Sequence, residues 1–405
     1  MNIFIAPSDV LLFRDGRPFS AGEGHRARSI FPPTPNTIQG VIRSKVLAER
    51  CGRYQQYQNN CSCCSEITNC TIPDEIGRPA QNGNGNYGKM ELKGTLIAKY
   101  NSDNLTLYFP IPQDVVQVKE KNKNDSTTKP QLKLLQPLTE KIPGENDLDY
   151  PLLPLWNPEI QPVESIQGYF EHQDLINYLL GKNPDKFTKP DDLFQRESRY
   201  GIEVDNSKQA VEEGKIYQTE FIRCYENIGL YLEIDGINYL SNDPEIEEGF
   251  VAIGGENKVA SYSHISQINW GDFTEKLKNN LEKSDGFKIY LATPTIFNSD
   301  HKQGWLPEWI NPENLSGEYQ GISVKLISVA LGNYQTIGGW DVAFNRPKPT
   351  RRTVPPGSVY YFKTNAKPQE IIDTFHWQNL ADNSQEAQIG FGLSLVGTWN
   401  YCSLN

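Results

Sequence analysis

The chain opens with NIFIAP, which runs on into VLLF, and residues 1–13 read as strand. A segment bearing Gly and Pro follows from Arg14 to Pro35. In TIQGVIRSKVLAER, Ile38, Val41, Ile42, Lys45 and Val46 recur near helical spacing. This predicts a helix over 37–50, N-capped by Asn36 and ending near Gly52, with its apolar face on the sheet that the first strand joins. LKGTLIAKY and LTLYFPIP read as two strands, DLINYLLG as a short helix ending at Gly181, and QEIIDTFHW as a helix near 369–378. From Gly201 strands dominate: GKIYQTEFIRCY, IGLYLEIDG, GFVAIGG, FKIYLATP, ISVKLISVALG, YQTIGGWDVAF and GSVYYFKT. Alternation and enrichment in β-branched and aromatic residues support each. Strands and helices interleave without a regular βα period, so the pattern predicts an α+β fold rather than a doubly wound sheet. No repeat of 20–50 residues is visible.

Two segments break the pattern. Residues 51–88 are rich in Cys, Asn and Gly and read as an insertion; residues 119–150 are a polar excursion. The remainder of the 405 residues is long enough to bury a large core, which excludes global disorder. No stretch approaches the roughly 18 apolar residues of a membrane helix. The N-terminus lacks a basic region, a continuous apolar region and a cleavage site, so a soluble cytoplasmic protein is expected, with no membrane partner.

Net charge is −11, which alone argues against broad nucleic-acid binding. Its distribution changes the picture. Residues 1–53 hold eight Lys/Arg against four acids, residues 345–363 hold five against none, and residues 142–256 hold eight against 24. Two basic islands thus flank an acidic middle, and a local basic groove can still hold a phosphate backbone.

Five of the seven cysteines, Cys51, Cys61, Cys63, Cys64 and Cys70, crowd together. Without a secretory signal a disulfide framework is not expected. Thiolates are good zinc ligands, but C-x-C-C-x5-C is not a CxxC…CxxC pair, and a variable loop is the preferred reading. No metal site and no cofactor are expected.

The first basic island, FRDGRPFSAGEGHRARSIFPPTP, carries Arg14, Arg17, His25, Arg26 and Arg28 with Phe13, Phe19 and Phe31 interleaved. Guanidinium forks suit phosphate oxygens, and aromatics stack on unpaired bases. For Arg14 and the phenylalanines a folded connection is preferred; His25, Arg26 and Arg28 read as a solvent-facing RNA surface. Three Gly-rich turns recur beside strands, at Gly254-Gly255, Gly338-Gly339 and Gly390-Phe391-Gly392. Each alone is most often a bulge or tight turn. Together, beside a basic run, they are read as a cradle for an RNA backbone. None fits GxxxxGK[ST], so nucleotide hydrolysis is not indicated. In RPKPTRRTVPPGSVYYF, Arg346, Lys348, Arg351 and Arg352 make either a Pro-stiffened solvated loop or a phosphate-binding arm. No HExxH, Ser/His/Asp order or G-x-S-x-G is present, and the acidic pairs Glu212-Glu213 and Glu247-Glu248 read as solvated surface.

Several stretches, in one order across nearly the whole chain, resemble a known family. They are PSDVLLFRDGRPFSAGEGHRARSIFPPTPNTIQGVIRS, ESRYGIEVD with AVEEGKIYQTEFIR, AIGGENKVA, YLATPTIFN with GWLP, IGGWDVAFNRPKPTRRTVPPGSVYYF and IGFGLSLVGTW. The family is the third subunit of the Cmr effector complex of type III-B CRISPR systems, within the RAMP superfamily. Residues 51–88 and 119–150 lie outside the resemblance. The resemblance implies two ferredoxin-like (RRM-like) domains. They are expected as a RAMP domain over 1–200, carrying both insertions, and a second over 201–405 with the Gly-rich turns. It implies a non-catalytic subunit that holds the 5′ tag of the crRNA beside a large polymerase/cyclase-like subunit and the backbone RAMP subunit. The acidic middle then serves as a face for protein partners. The alternative is a metal-independent RAMP endoribonuclease that processes precursor crRNA, with His25 as general base and Arg26 or Tyr54 at the scissile phosphate.

Overall fold

The computed structural model describes residues 1–15, 26–52, 57, 70–78, 86–101, 104–118, 131–139, 151–157, 162–205, 210–240, 248–297 and 304–403. Arg17, His25, Tyr54, Cys61, Cys63 and Cys64 lie outside the described residues, as does most of both insertions.

Strand β1 (Asn2–Pro7) carries Ile3, Phe4 and Ile5 in succession, all buried. A continuous apolar run suits a central strand covered on both faces. Ile3 and Ile5 face helix α1 (Pro35–Val46) in one core, whereas Phe4 faces the opposite core. α1 starts at Pro35, one residue before the expected cap, with Thr34 extended in the cap position. Proline at the first helical position costs no hydrogen bond, because that N–H is unpaired in any helix. Past Val46 the chain widens into a π-turn, Leu47–Cys51, and stops at Gly52 with φ of 63°.

Next come β2 (Glu91–Asn101), β3 (Asn104–Pro110), β4 (Tyr169–Glu171) and helix α2 (His172–Leu179), then a long hairpin, β5 (Phe194–Asp205) and β6 (Ala210–Cys224). β7 (Ile228–Asp235), β8 (Glu248–Ala252) and β9 (Val259–His264) complete the first sheet. Its order is β4-β3-β2-β7-β1-β9-β8, antiparallel throughout. Because β7 opposes both β1 and β2, those two strands point the same way, and α1 crosses between them.

Helix α3 (Phe273–Leu281) leads into the second sheet. This contains β10 (Gly286–Leu291), β11 (Ser316–Tyr319) and β12 (Ile322–Ala330). Two small ribbons follow. β13 (Gln335–Ile337) and β16 (Arg351–Thr353) form the outer pair, and β14 (Trp340–Asp341) and β15 (Arg346–Pro347) the inner. β17 (Val359–Thr364), helix α4 (Pro368–Phe375), β18 (Gln378–Asn379) and β19 (Leu393–Trp399) finish the sheet, in the order β11-β12-β17-β10-β19-β18. Again two strands that point the same way, β10 and β12, flank an antiparallel one, β17. The helices α2, α3 and α4 pack against β19, and one continuous core joins both sheets.

The architecture is mixed α/β, rich in sheet and poor in helix, as the pattern predicts. The expected division at residue 200 does not follow the sheets. β7, β8 and β9 pair into the first sheet, so the chain leaves that sheet only after His264. Alternation identifies a strand, but strand pairing is decided by contacts distant in sequence. YQTIGGWDVAF also departs from expectation: the Gly pair divides it into β13 and β14, which belong to different ribbons.

Candidate nucleic-acid interface

The first basic island is anchored on the long hairpin. Leu11 and Ile222 exchange backbone hydrogen bonds of 2.8 and 2.9 Å. Arg26-Ala27 pairs in parallel with Gln218-Thr219 of β6. Residues 11–15 run beside 26–30, with the Asp15 N–H donating to Arg28 O at 3.0 Å and the Ile30 N–H to Phe13 O at 2.8 Å. The Ser29 hydroxyl donates to Glu220 O at 2.6 Å. Phe13 and Phe31 are buried; their ring centres lie 6.4 Å apart, and Phe31 meets Phe194 at 4.8 Å. These two phenylalanines are therefore core, not a stacking surface. Arg14 and Arg28 are exposed on the ribbon.

The hairpin adds three guanidinium groups that charge counting along the sequence assigned to an acidic stretch. Arg196 donates to Ser29 O at 2.8 Å and to Glu220 at 2.6 Å. Arg199 and Arg223 both hold Glu197, and Arg223 also holds Asp9 at 2.9 Å. The hydrogen bonds from these arginines hold the Glu197 carboxyl below its ordinary range. The signal available in sequence is the i, i+2 spacing of Glu197 and Arg199, which places both on one face of a strand.

The Gly turns do not converge on an open cradle. Gly254, with φ of 75°, approaches this chain's own backbone: a Cβ there would sit 2.5 Å from Leu12 O, and the Gly255 N–H donates to the same oxygen at 2.8 Å. Gly390 and Gly392 are buried. A Cβ on Gly390 would lie 2.6 Å from Gly94 O in β2, and one on Gly392 would lie 2.9 Å from the Leu380 and Ala381 amides. These glycines let segments of the protein meet closely, and the buried Gly390 and Gly392 present no surface to a ligand. Only Gly338 and the exposed Gly339 sit with the basic arm, where Gly339 O accepts the Lys348 N–H at 2.9 Å.

The second island is that arm. Its root is fixed by reciprocal hydrogen bonds between Thr295 and Val354 at 3.0 and 2.9 Å. At its tip the Asp341 carboxylate accepts from the Ala343 and Phe344 N–H groups at 3.1 and 3.3 Å, closing an Asx turn. Arg351 is committed to an ion pair with Glu386. Arg352 lies 4.6 Å from the centre of the Tyr334 ring, and Arg346 lies 5.2 Å from that of Phe344. Burial pushes the Lys348 amine below the usual lysine range, against the pull of Asp341, and nearby Arg43 of α1 adds to the effect. That coupling places the arm beside α1. Arg43 is itself held by Ile76 O at 2.7 Å and Asn86 O at 2.8 Å.

Among the described residues no group of three or more His, Cys, Asp or Glu is placed to hold a metal ion. Cys51 and Cys70 are half-buried against the core beneath α1. No helix among the described residues is long and apolar enough to cross a membrane.

A family model described as "CRISPR-associated protein (Cas_Cmr3)" matches residues 3–399. Among solved structures, the chain is similar to one in "Cryo-EM structure of the Type III-B Cmr-beta bound to cognate target RNA". Identity is 16%, covering 96% of this chain and 95% of that one, with a TM-score of 0.49. A chain in "Cryo-EM structure of the Type III-B Cmr-beta bound to cognate target RNA and AMPPnP, state 1" gives 16% identity, 92% and 88% coverage and a TM-score of 0.48. A chain in "Crystal structure of Csm3-Csm4 subcomplex in the type III-A CRISPR-Cas interference complex" gives 12% identity, 98% and 99% coverage and 0.36. Among proteins of curated function, none matches.

Proposed function

We propose that this chain, which belongs to the CRISPR-associated protein family Cas_Cmr3, is a non-catalytic RNA-binding subunit of a type III-B effector complex. It holds the 5′ tag of the crRNA and docks the large polymerase/cyclase-like subunit and the backbone RAMP subunit. The family match over residues 3–399 carries this reading. Each sheet supplies one ferredoxin-like unit. Support comes from the shared order, β9-β1-β7-β2 in one sheet and β19-β10-β17-β12 in the other. The passage between the units lies at 265–285, and the complex works in the cytoplasm.

RNA is gripped by its backbone at the two basic islands, through the cations Arg14, Arg17, Arg26, Arg28 and Arg352 and the side chain of His25. Arg351 contributes less directly, since its guanidinium is shared with Glu386. The carboxylate-paired arginines of the long hairpin fit a face for protein partners rather than phosphate. With tag-bearing RNA, the Arg346→Ala/Arg352→Ala double variant of the full chain should bind more weakly. Its plot of log affinity against log salt should be shallower by about 0.7 per lost phosphate contact. An unchanged slope would remove the arm from the RNA site. Cleavage of repeat RNA in chelator by the full chain, lost in His25→Ala, would replace the scaffold with the endoribonuclease.

A further inference from the structure

Among the described residues, three exposed large apolar side chains lie on the basic arm. Tyr334 is 59% exposed, Trp340 56% and Val342 83%. Water-facing aromatic rings on a rigid projection are costly unless something covers them. We propose that the arm is a stacking platform for unpaired RNA bases, with Tyr334 and Trp340 supplying the ring faces. This rests on the RNA-binding reading above and specifies which part of the nucleic acid the arm touches.

Four observations carry the inference. First, the rings are interleaved with guanidinium planes: Arg352 covers Tyr334 at 4.6 Å, and Arg346 covers Phe344 at 5.2 Å. An arginine on one face of a ring fixes its orientation, and the planar cation continues a stack favourably with the π-face of a base. Second, the backbone beside the rings is tied into the two ribbons. Trp340 stands opposite Pro347 across the inner ribbon, and Arg352 stands opposite Thr336 across the outer one. The tip is closed by Asp341, so little conformational freedom remains to be lost on binding. Third, residues 334–353 hold four bases, Arg346, Lys348, Arg351 and Arg352, against one acid, Asp341, so the arm that carries the rings attracts a polyanion. Fourth, Arg351 is spent on Glu386. Phosphate contacts alone therefore use less of the arm's charge than its sequence advertises, and the rings supply a second, uncharged contribution. A protein partner with an apolar pocket is the competing occupant. The pairing of rings with guanidinium planes favours flat bases over aliphatic side chains.

The test uses the full chain with two RNAs of equal length, one normal and unpaired, the other with bases removed but ribose and phosphate intact. The unaltered protein should prefer the base-bearing strand by about tenfold or more. Tyr334→Ala and Trp340→Ala should each remove most of that preference while leaving affinity for the abasic strand unchanged. Tyr334→Phe should keep it. Because the rings are exposed, all three variants should melt with the unaltered protein. If the alanine variants keep the preference while Arg346→Ala/Arg352→Ala still weakens binding, stacking on the arm is wrong and the charge-based reading survives. If they keep the preference but lose assembly with neighbouring subunits, the arm is a protein contact and the proposal fails. If the unaltered chain binds neither strand, the RNA-binding reading falls and takes this inference with it.

Discussion

His376 is half-buried against Trp270 and Phe273, and its Nδ1 accepts the Val396 N–H at 3.2 Å. Burial pushes the imidazole down to about 4, so the folded protein keeps it neutral. In the unfolded chain it takes a proton near 6.5. Between those values the unfolded state binds more protons, so stability falls as pH drops through this window, by up to about 3 kcal/mol. Glu75 acts lower. Burial raises its carboxyl, but Arg50, Thr71 and Asn238 together outweigh that and hold it at about 2. Its contribution is present above about 4.5 and fades as pH falls towards 2. The His376→Asn variant, whose amide oxygen can still accept from Val396, should lose less stability than the unaltered protein between pH 7 and pH 4. Denaturant titrations across that range check this. Parallel curves would mean that His376 titrates normally.

Elements are joined in this fold by glycines that permit contact. Gly390 combines φ of 106° with a Cβ position 2.6 Å from Gly94 O, linking the turn before β19 to β2 of the other sheet. Gly321, with φ of 84°, has nothing within 4 Å. Gly321→Ala should therefore cost only backbone strain, about 1 kcal/mol. Gly390→Ala should cost that strain plus the separation of two packed segments, about 2–4 kcal/mol in total. Equal losses in chemical denaturation would mean that Gly94 moves aside freely. The repeated Gly pairs are visible in sequence. Whether a Gly opens onto solvent or onto a neighbouring strand depends on what lies across from it, which local pattern does not encode.

At the scale of the whole molecule, one buried charge pair keys the two sheets together. Asp114, just after β3, is fully buried and receives hydrogen bonds from Tyr178 of α2 at 2.8 Å and from Tyr361 of β17. Lys288 of β10 approaches the same carboxylate at 3.4 Å and lies 3.5 Å from the Tyr178 ring centre. Burial pushes the Lys288 amine below its usual range, opposed by Asp114. Removing one partner of such a pair leaves the other charge stranded in a low dielectric. Lys288→Met should thus lower stability by about 3–5 kcal/mol, and adding Asp114→Leu should recover part of it. A loss below about 1 kcal/mol in Lys288→Met would show that water reaches the carboxylate.

The sequence by itself located many of the strands and helices, because alternation and helical spacing are local and survive in any packing, although β5, α3 and β19 were not among those it named. Ile3–Ile5, Ile38–Val46 and Ile371–Phe375 are elements for that reason. It also located the two basic islands, since charge is counted residue by residue. Only the tertiary structure decided that β7, β8 and β9 join the first sheet and that Arg351 belongs to Glu386. The same holds for Gly254 and Gly390, which face this chain's own backbone, and for Arg352, which stands over Tyr334. Each of these is a pairing between residues distant or opposed across strands. A pairing is set by which surfaces are buried together, a property of the folded chain as a whole that no window of sequence contains.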